Sequence, residues 1–222
     1  MDGEQYHQMF GMLYMQAIME ALGETTTLSE VRNAGAVAAS YPFVLYSDLY
    51  DHKECIRGVV NAGFSGLLWT PEVRRASSKK ELIRRMQSNV FSCQCIINAW
   101  NTEEVPWITF DCEEEAKRLL EVRQQLIPLL QRAFQEYKCT GKPPIRALVS
   151  DYTEDEETWN IDDEYIFCDS LLVAPIVGEE DTRRVYLPQG RWKDYWTQEE
   201  VSSGWFEVTT NEIPVYEKIK EC

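Results

Sequence analysis

The sequence predicts an α/β segment followed by an all-β segment, and three observations carry that prediction. Between Arg32 and Trp100, three short apolar runs at 43–47, 66–69 and 95–97 alternate with helical-looking segments at 51–61 and 78–90. Each run ends in polar or aromatic residues: Asp48 after the first, Thr70-Pro71-Glu72 after the second, Asn98-Ala99-Trp100 after the third. Strand, helix, strand, helix, strand, with polar groups at the strand C-terminal ends, is the rhythm of a parallel α/β sheet. Beyond Pro144 the rhythm changes to short strands separated by turns such as Pro188-Gln189-Gly190, the pattern of an antiparallel β-sandwich.

Taken in order, residues 5–22 read as a helix with Met9, Phe10, Leu13, Ala17 and Ala21 on one face and Met12 and Ile18 beside it. Asp2 or Gly3 caps it and Gly23 ends it. A long helix with no strand ahead of it is unusual in an α/β domain and implies an upstream element. Residues 28–33 form a short strand before the small-residue loop 34–40. Asp51-His52-Lys53-Glu54 opens the next helix with acids in its first turn, which suits the macrodipole. Ser77-Ser78 caps the helix that follows. The acidic segment 111–115 opens a long helix whose apolar positions Leu119, Val122, Leu126, Ile127, Leu130 and Phe134 keep helical spacing. Pro128 kinks it and Gly141-Lys142-Pro143-Pro144 closes it. Strands then follow at 145–150, 165–167, 170–174, 184–187, 192–195, 205–208 and 213–216. The expected domains are 1–140 and 141–222.

With 222 residues the chain can bury a substantial core. Its net charge of -15 excludes a basic surface of the kind that nucleic acid or an anionic membrane requires, and fits a neutral ligand. Seven cysteines, an odd number with no zinc or thioredoxin spacing, read as reduced, mostly buried thiols, which favours the cytoplasm. No apolar run is long enough to span a bilayer, and the N-terminus lacks the basic and apolar regions of a signal peptide.

A Ser-His-Asp enzyme does not fit, because Gly63-Phe64-Ser65-Gly66 is not G-x-S-x-G and only His7 and His52 exist to serve as a base. A histidine-rich metal site fails for the same reason, no Gly-rich phosphate loop is present, and the reading requires neither metal nor cofactor. What remains is carboxylates at strand ends beside aromatic residues, a combination that suits sugars. Carboxylates bond hydroxyls and supply acid/base catalysis, while indole faces stack on the C–H surface of the ring. Asp48 stands amid Tyr46 and Tyr50, Glu72 follows Trp69, and Asn98 precedes Trp100. The bland alternatives are an N-cap role for Asp48 and a surface ion pair of Glu72 with Arg74 or Arg75.

Two stretches then add a family resemblance. The run Trp159-Asn160-Ile161-Asp162-Asp163-Glu164-Tyr165-Ile166-Phe167-Cys168-Asp169-Ser170-Leu171-Leu172-Val173-Ala174-Pro175-Ile176 resembles the D-D-Q-F-M-F-G-x-x-L-L-V-A-P-V signature of glycoside hydrolase family 31. Arg184-Val185-Tyr186-Leu187-Pro188-Gln189-Gly190-Arg191-Trp192-Lys193-Asp194-Tyr195-Trp196-Thr197 resembles its V-Y-L-P-x-G-x-W-x-D-x-W-T, and Pro144-Ile145-Arg146-Ala147-Leu148 stands where the family has M-x-R-P-L. The resemblance implies the second half of a (β/α)8 TIM barrel, strands 5 to 8, plus a partial or small antiparallel β-sandwich. It implies an exo-acting hydrolase that removes a terminal α-linked sugar with retention. By position it makes Asp48 the acid/base and Arg32 the strand-5 arginine that holds the sugar. Trp69, Glu72, Asn98 and Trp100 would line the same cleft.

The chain departs from the family's pattern at strands 7 and 8. Trp69-Thr70-Pro71-Glu72-Val73-Arg74 replaces G-x-D-I-G-G, and Asn98-Ala99-Trp100 replaces R-x-H. These departures leave α-glucoside, α-xyloside and α-galactoside equally open, and the shorter loop after Asp48 keeps Asp51 as an alternative acid. The family's nucleophile, an aspartate after strand 4, falls upstream of the first helix, and Asp2 reads as that helix's cap. The expectation is a truncated form that needs the other barrel half or self-association. The competing reading is a non-catalytic carbohydrate-binding or protein-interaction remnant.

Overall fold

Helix α1 (Gly3–Leu22) starts where the Asp2 carboxylate accepts the Gln5 amide at 2.8 Å and the Gln5 side chain accepts the Asp2 amide in return, a reciprocal capping box. A computed structural model describes residues 2–23, 29–32, 38–46, 48–70, 72–99 and 103–219 of the chain. The expected apolar face of α1 is not the buried one. Gly11 and Met15 are buried, whereas Phe10 and Leu13 are exposed along with Tyr6 and Tyr14. Met15 packs with Val31, Ala38 and Phe43 in a small cluster of its own.

Strands β1 (Glu30–Val31) and β2 (Val44–Tyr46) pair in parallel, and β2 pairs in parallel with β3 (Leu68–Thr70). Strand β4 (Glu72–Val73) continues one residue beyond β3 and pairs in parallel with β5 (Ile96–Ile97). Every one of these strands therefore presents its C-terminal end on one side. The crossovers from β2 to β3 and from β4 to β5 are helical, as parallel strands favour. Helix α2 (His52–Phe64) joins β2 to β3 and buries Cys55, Ile56, Val59, Val60 and Gly63, one face at helical spacing. Helix α3 (Lys79–Val90) joins β4 to β5, with the Ser78 hydroxyl capping the Glu81 amide. A short helix α4 (Pro106–Thr109), absent from the sequence reading, opens on a proline at its first turn.

Helix α5 (Glu113–Thr140) runs unbroken through Pro128 for 28 residues. Three glutamates sit in its first turn, and Gly141 ends it in the left-handed region at φ 78°. The Arg123 guanidinium satisfies the carbonyls of Val90, Ser92 and Cys93, closing the C-terminal end of α3. Across the sheet, the Tyr137 hydroxyl donates to the Gly66 carbonyl at 3.0 Å.

The remainder is antiparallel. Strand β6 (Ile145–Ala147) gives way at once to helix α6 (Leu148–Asp151), so the expected strand at 145–150 is half as long. This turn brings Asp151 back onto the buried Arg146 guanidinium, which also bonds Asp169 and the Pro143 carbonyl. Strands β7 (Tyr165–Phe167), β8 (Leu171–Val173), β9 (Thr182–Leu187), β10 (Trp192–Asp194), β11 (Glu200–Val201), β12 (Gly204–Thr209) and β13 (Val215–Lys218) follow. Six of the eight form one sheet in the order β11-β10-β13-β8-β7-β6, and β9 pairs with β12 as a separate ribbon.

Strand alternation explains how this sheet is buried. Tyr165, Phe167, Leu171, Val173 and Val215 point into the same hydrophobic cluster as α2, α3 and α5. Ile166, Leu172, Trp192 and Tyr216 point the other way, against Val185, Tyr186 and Leu187 of β9. Two further contacts lock the halves together. Gly63 of α2 lies against the backbone of Ile145 and Arg146 so closely that no side chain fits. Arg84 of α3, buried, donates to the carbonyls of Glu180, Thr210 and Glu212 and to the Asp181 carboxylate. The fold is thus part of a TIM barrel followed by an antiparallel sandwich.

Candidate active site at the strand ends

Asp48 and Asp51 divide two tasks that the sequence left open between them. The Asp51 side chain accepts the Glu54 amide at 2.9 Å and caps α2. Asp48 is therefore not the cap. It stands beyond the end of β2 and receives both arms of the Arg32 guanidinium, at 2.8 and 2.9 Å. Arg32 follows β1 directly, so the pair bridges two neighbouring strand ends, with the guanidinium 4.6 Å above the Tyr46 ring. The two bonds from Arg32 hold the Asp48 carboxyl below its ordinary range.

One strand further, Glu72 is buried in β4. The Tyr46 hydroxyl donates to its Oε2 at 2.7 Å, and the Asn98 amide donates to the same oxygen at 3.0 Å. Asn98 is held by its own amide on the Val73 carbonyl, a continuation of the β4–β5 pairing. Both donors are thus spent on one oxygen, and Oε1 has no hydrogen-bond partner among the described residues. A buried acceptor left open costs free energy until something donates to it. Burial and the bond to Glu72 push the Tyr46 hydroxyl up to about 12, so it remains a donor at any physiological pH. Partial desolvation and the charge of Glu72 also raise the Glu30 carboxyl.

Beside Glu72 opens a hollow of about 600 Å³ lined by Tyr50, Arg74, Arg75, Ser77, Glu81 and Arg85. Glu81 accepts from Ser77 and Arg85, whose bonds outweigh its desolvation and hold its carboxyl down to about 2. Arg74 follows β4, donates to the Tyr50 hydroxyl and lies 4.6 Å over the Tyr50 ring. The sequence marked Tyr50 only as an aromatic neighbour of Asp48 and Arg74 only as a surface ion-pair partner for Glu72; the structure places both at the hollow beside Glu72.

The structure therefore gathers Arg32, Asp48, Glu72 and Asn98 on one face. Trp69 does not join them, which corrects the sequence reading. It is buried, with its ring 3.3 Å from where a Cβ on Gly58 of α2 would lie. Strand alternation turns it toward the helix layer, and the missing side chain at Gly58 makes the room. Trp100 lies outside the described residues. His52 is buried, with Nε2 2.9 Å from the Ser88 hydroxyl, and takes no part in the cleft. No group of metal-ligating side chains occurs among the described residues.

Comparison with known proteins adds the context of this cleft. Residues 1–133 match the family model for the glycosyl hydrolases family 31 TIM-barrel domain, and residues 141–220 match that for the glycosyl hydrolase family 31 C-terminal domain. Alpha-glucosidase 2 of Bacillus thermoamyloliquefaciens is 33% identical over 69% of this chain and 21% of its own length. The alpha-xylosidase of Emericella nidulans is 24% identical over 85% of this chain and 26% of its own. The solved structure of a sulfoquinovosidase from E. rectale, in complex with an aza-sugar inhibitor, superposes with a TM-score of 0.85 at 23% identity, covering 97% of this chain and 36% of that one. The chain thus spans about a fifth to a quarter of the length of these curated relatives.

Proposed function

The chain belongs to glycosyl hydrolase family 31, and on that premise we propose that it is the acid/base-bearing part of a retaining, exo-acting α-glycosidase. The observation that carries the reading is the pair of carboxylates at adjacent strand ends: Asp48, released from capping by Asp51, and Glu72, buried with one oxygen open. Residues 1–140 form the catalytic portion and 141–222 the sandwich that supports it.

In this reading Arg32 changes partner. Two sugar hydroxyls take the guanidinium that Asp48 now holds, and Glu72 Oε1 accepts a third hydroxyl. Freed of Arg32 and enclosed by the substrate, the Asp48 carboxyl gains proton affinity, protonates the leaving oxygen and then activates water. Retention needs a second carboxylate about 5–5.5 Å from the first. A barrel-completing segment from outside residues 1–222 supplies it. The exposed Tyr6, Phe10, Leu13 and Tyr14 of α1 and the outer edge of β1, unpaired among the described residues, suit such a segment. An α-glucoside, α-xyloside or α-galactoside is the substrate.

The test is Asp48→Asn in the barrel-complete enzyme. Hydrolysis of natural and activated α-glycosides is lost while the circular dichroism spectrum is kept. Near-normal turnover on both substrates refutes the assignment. A second reading, sugar binding without catalysis, is favoured by the low proton affinity of Asp48 in its clasp with Arg32. Calorimetry that gives saturable heats with a sugar, and no turnover in the barrel-complete enzyme, selects it.

A further inference from the structure

We propose that Tyr46 is a positioning residue that holds the two sugar-gripping groups of the cleft at once, Arg32 with the face of its ring and Glu72 with its hydroxyl. The proposal rests on the reading of this cleft as a glycosidase site. Tyr46 is the last residue of β2 and pairs with Thr70 of β3, so its backbone is fixed by the parallel ladder. Its side chain is half-buried. The hydroxyl donates to Glu72 Oε2 at 2.7 Å, and the Arg32 guanidinium lies over the ring, 4.6 Å from its centroid. Arg32 follows β1, and Glu72 stands in β4. One side chain on β2 thus reaches a functional group on each flank.

The two contacts differ in kind, and the difference sets what each can do. A hydroxyl on a carboxylate makes a directional, charge-assisted bond. With the Asn98 amide at 3.0 Å it fixes Oε2 of Glu72, and thereby the direction in which the open Oε1 faces. A cation over a ring is held by the charge distribution of the ring and spends none of its N–H donors. Arg32 uses those donors on Asp48, at 2.8 and 2.9 Å. When sugar hydroxyls take the place of Asp48, the ring does not have to release the guanidinium. Tyr46 is then a pivot: Arg32 exchanges one partner for another above the ring while Glu72 stays where the hydroxyl holds it. One tyrosine thereby sets the spacing of the two groups that grip the terminal sugar.

The experiment compares Tyr46→Phe, which keeps the ring and loses the hydroxyl, with Tyr46→Leu, which loses both. In this chain a carboxyl-carbon NMR titration follows Asp48, the resonance assigned by its loss in Asp48→Asn. Tyr46→Leu frees the guanidinium and raises the midpoint, leaving at least about twofold more of the protonated form at a pH within the transition, whereas Tyr46→Phe leaves the midpoint in place. Arg74, the other cation whose charge bears on Asp48, is untouched by either change. In the barrel-complete enzyme, with a nitrophenyl α-glycoside, Tyr46→Phe raises KM at least about fivefold and keeps kcat within about twofold, because a hydroxyl away from the breaking bond is held equally in the ground and transition states. In a Glu72→Gln background the same substitution changes KM by less than about twofold. An Asp48 midpoint that moves alike in both variants, or in neither, overturns the role of the ring, and additive KM effects overturn that of the hydroxyl. If Tyr46→Leu does not fold, the cycle of Tyr46→Phe with Glu72→Gln decides, and no coupling there overturns the proposal. An active Asp48→Asn enzyme refutes the glycosidase reading and leaves the titration pattern as it is. Uncoupled variants of an enzyme that needs Asp48 remove the positioning role and leave the glycosidase reading standing.

Discussion

Gly63→Ala sets two effects of opposite sign against each other at the junction of α2 and β6. In a helix interior alanine is better than glycine by about 1 kcal/mol, because the glycine backbone loses more freedom on folding. The structure opposes this. A Cβ at position 63 would lie 2.2 Å from the Ile145 carbonyl oxygen, 2.9 Å from its carbon and 3.2 Å from the Arg146 Cα. A carbon and an oxygen in contact normally sit about 3.3–3.6 Å apart. The helix and the strand would have to part by about 1 Å, and both obstructing atoms are backbone, so no side chain can swing aside. Overpacking of this kind costs about 1–3 kcal/mol, and rigid walls on both sides put it at or above the upper end. The net expectation is a loss of about 2 kcal/mol, equal to about 4–8 °C in Tm for a chain of this size. Urea unfolding followed by tryptophan fluorescence reads it directly. Gly3→Ala, with nothing within 4 Å of the new carbon, is the control and leaves the midpoint unchanged or raises it. A Gly63→Ala protein as stable as the wild type would refute the close approach of α2 to β6.

Arg84→Met removes the donor that serves three carbonyls and the Asp181 carboxylate at once, and a loss of about 3–5 kcal/mol in unfolding free energy, read by urea titration, is expected; a change under about 1 kcal/mol would mean that water replaces the guanidinium. His52 gives a pH dependence. Burial pushes its imidazole from 6.5 down to about 4, so the unfolded chain binds a proton that the folded chain refuses in that window. Stability therefore falls as pH drops from about 6.5 toward 4, by about 3 kcal/mol in all. Urea midpoints measured across that range should slope less in His52→Gln than in the wild type, and parallel slopes would exclude His52 as the source.

Most helices were legible because their ends are written in short-range chemistry. Asp2, Ser78 and Gly141 stand where caps are needed, and spacing marked the rest. Which face of α1 is buried was not legible, because Phe10, Leu13 and Tyr14 leave no polar side to exclude, and packing partners chose Gly11 and Met15. The break at Ala147–Leu148 is likewise a tertiary matter, set by Asp151 returning to Arg146. Trp69 shows the limit of a two-residue period: the sequence fixes that it opposes Leu68 and Thr70, and Gly58 on another element fixes which side is indoors. In the cleft, residue types at strand ends pointed to Asp48, Glu72 and Asn98. The clasp between Arg32 and Asp48, the single oxygen shared by Tyr46 and Asn98, and the arginine on Tyr50 join residues 16 to 26 positions apart, and only the folded geometry pairs them.

The separate small cluster around Met15, Val31, Ala38 and Phe43 has a consequence for how the molecule comes apart. The α2, α3 and α5 layer shares one continuous interior with the six-stranded sheet, so that body unfolds as a single cooperative unit and yields one calorimetric transition. The piece made of α1 and β1 is held by a few contacts, Met15 and Val31 against Ala38 and Phe43, and by one strand pairing, so it belongs to the low end of the opening free energies, and its amides are expected to exchange before the rest. Arg32 rides on that piece, and Asp48 rides on the body. Local opening of that piece breaks the β1–β2 pairing and separates the guanidinium from the carboxylate, and exchange rates in α1 report how often the two are apart.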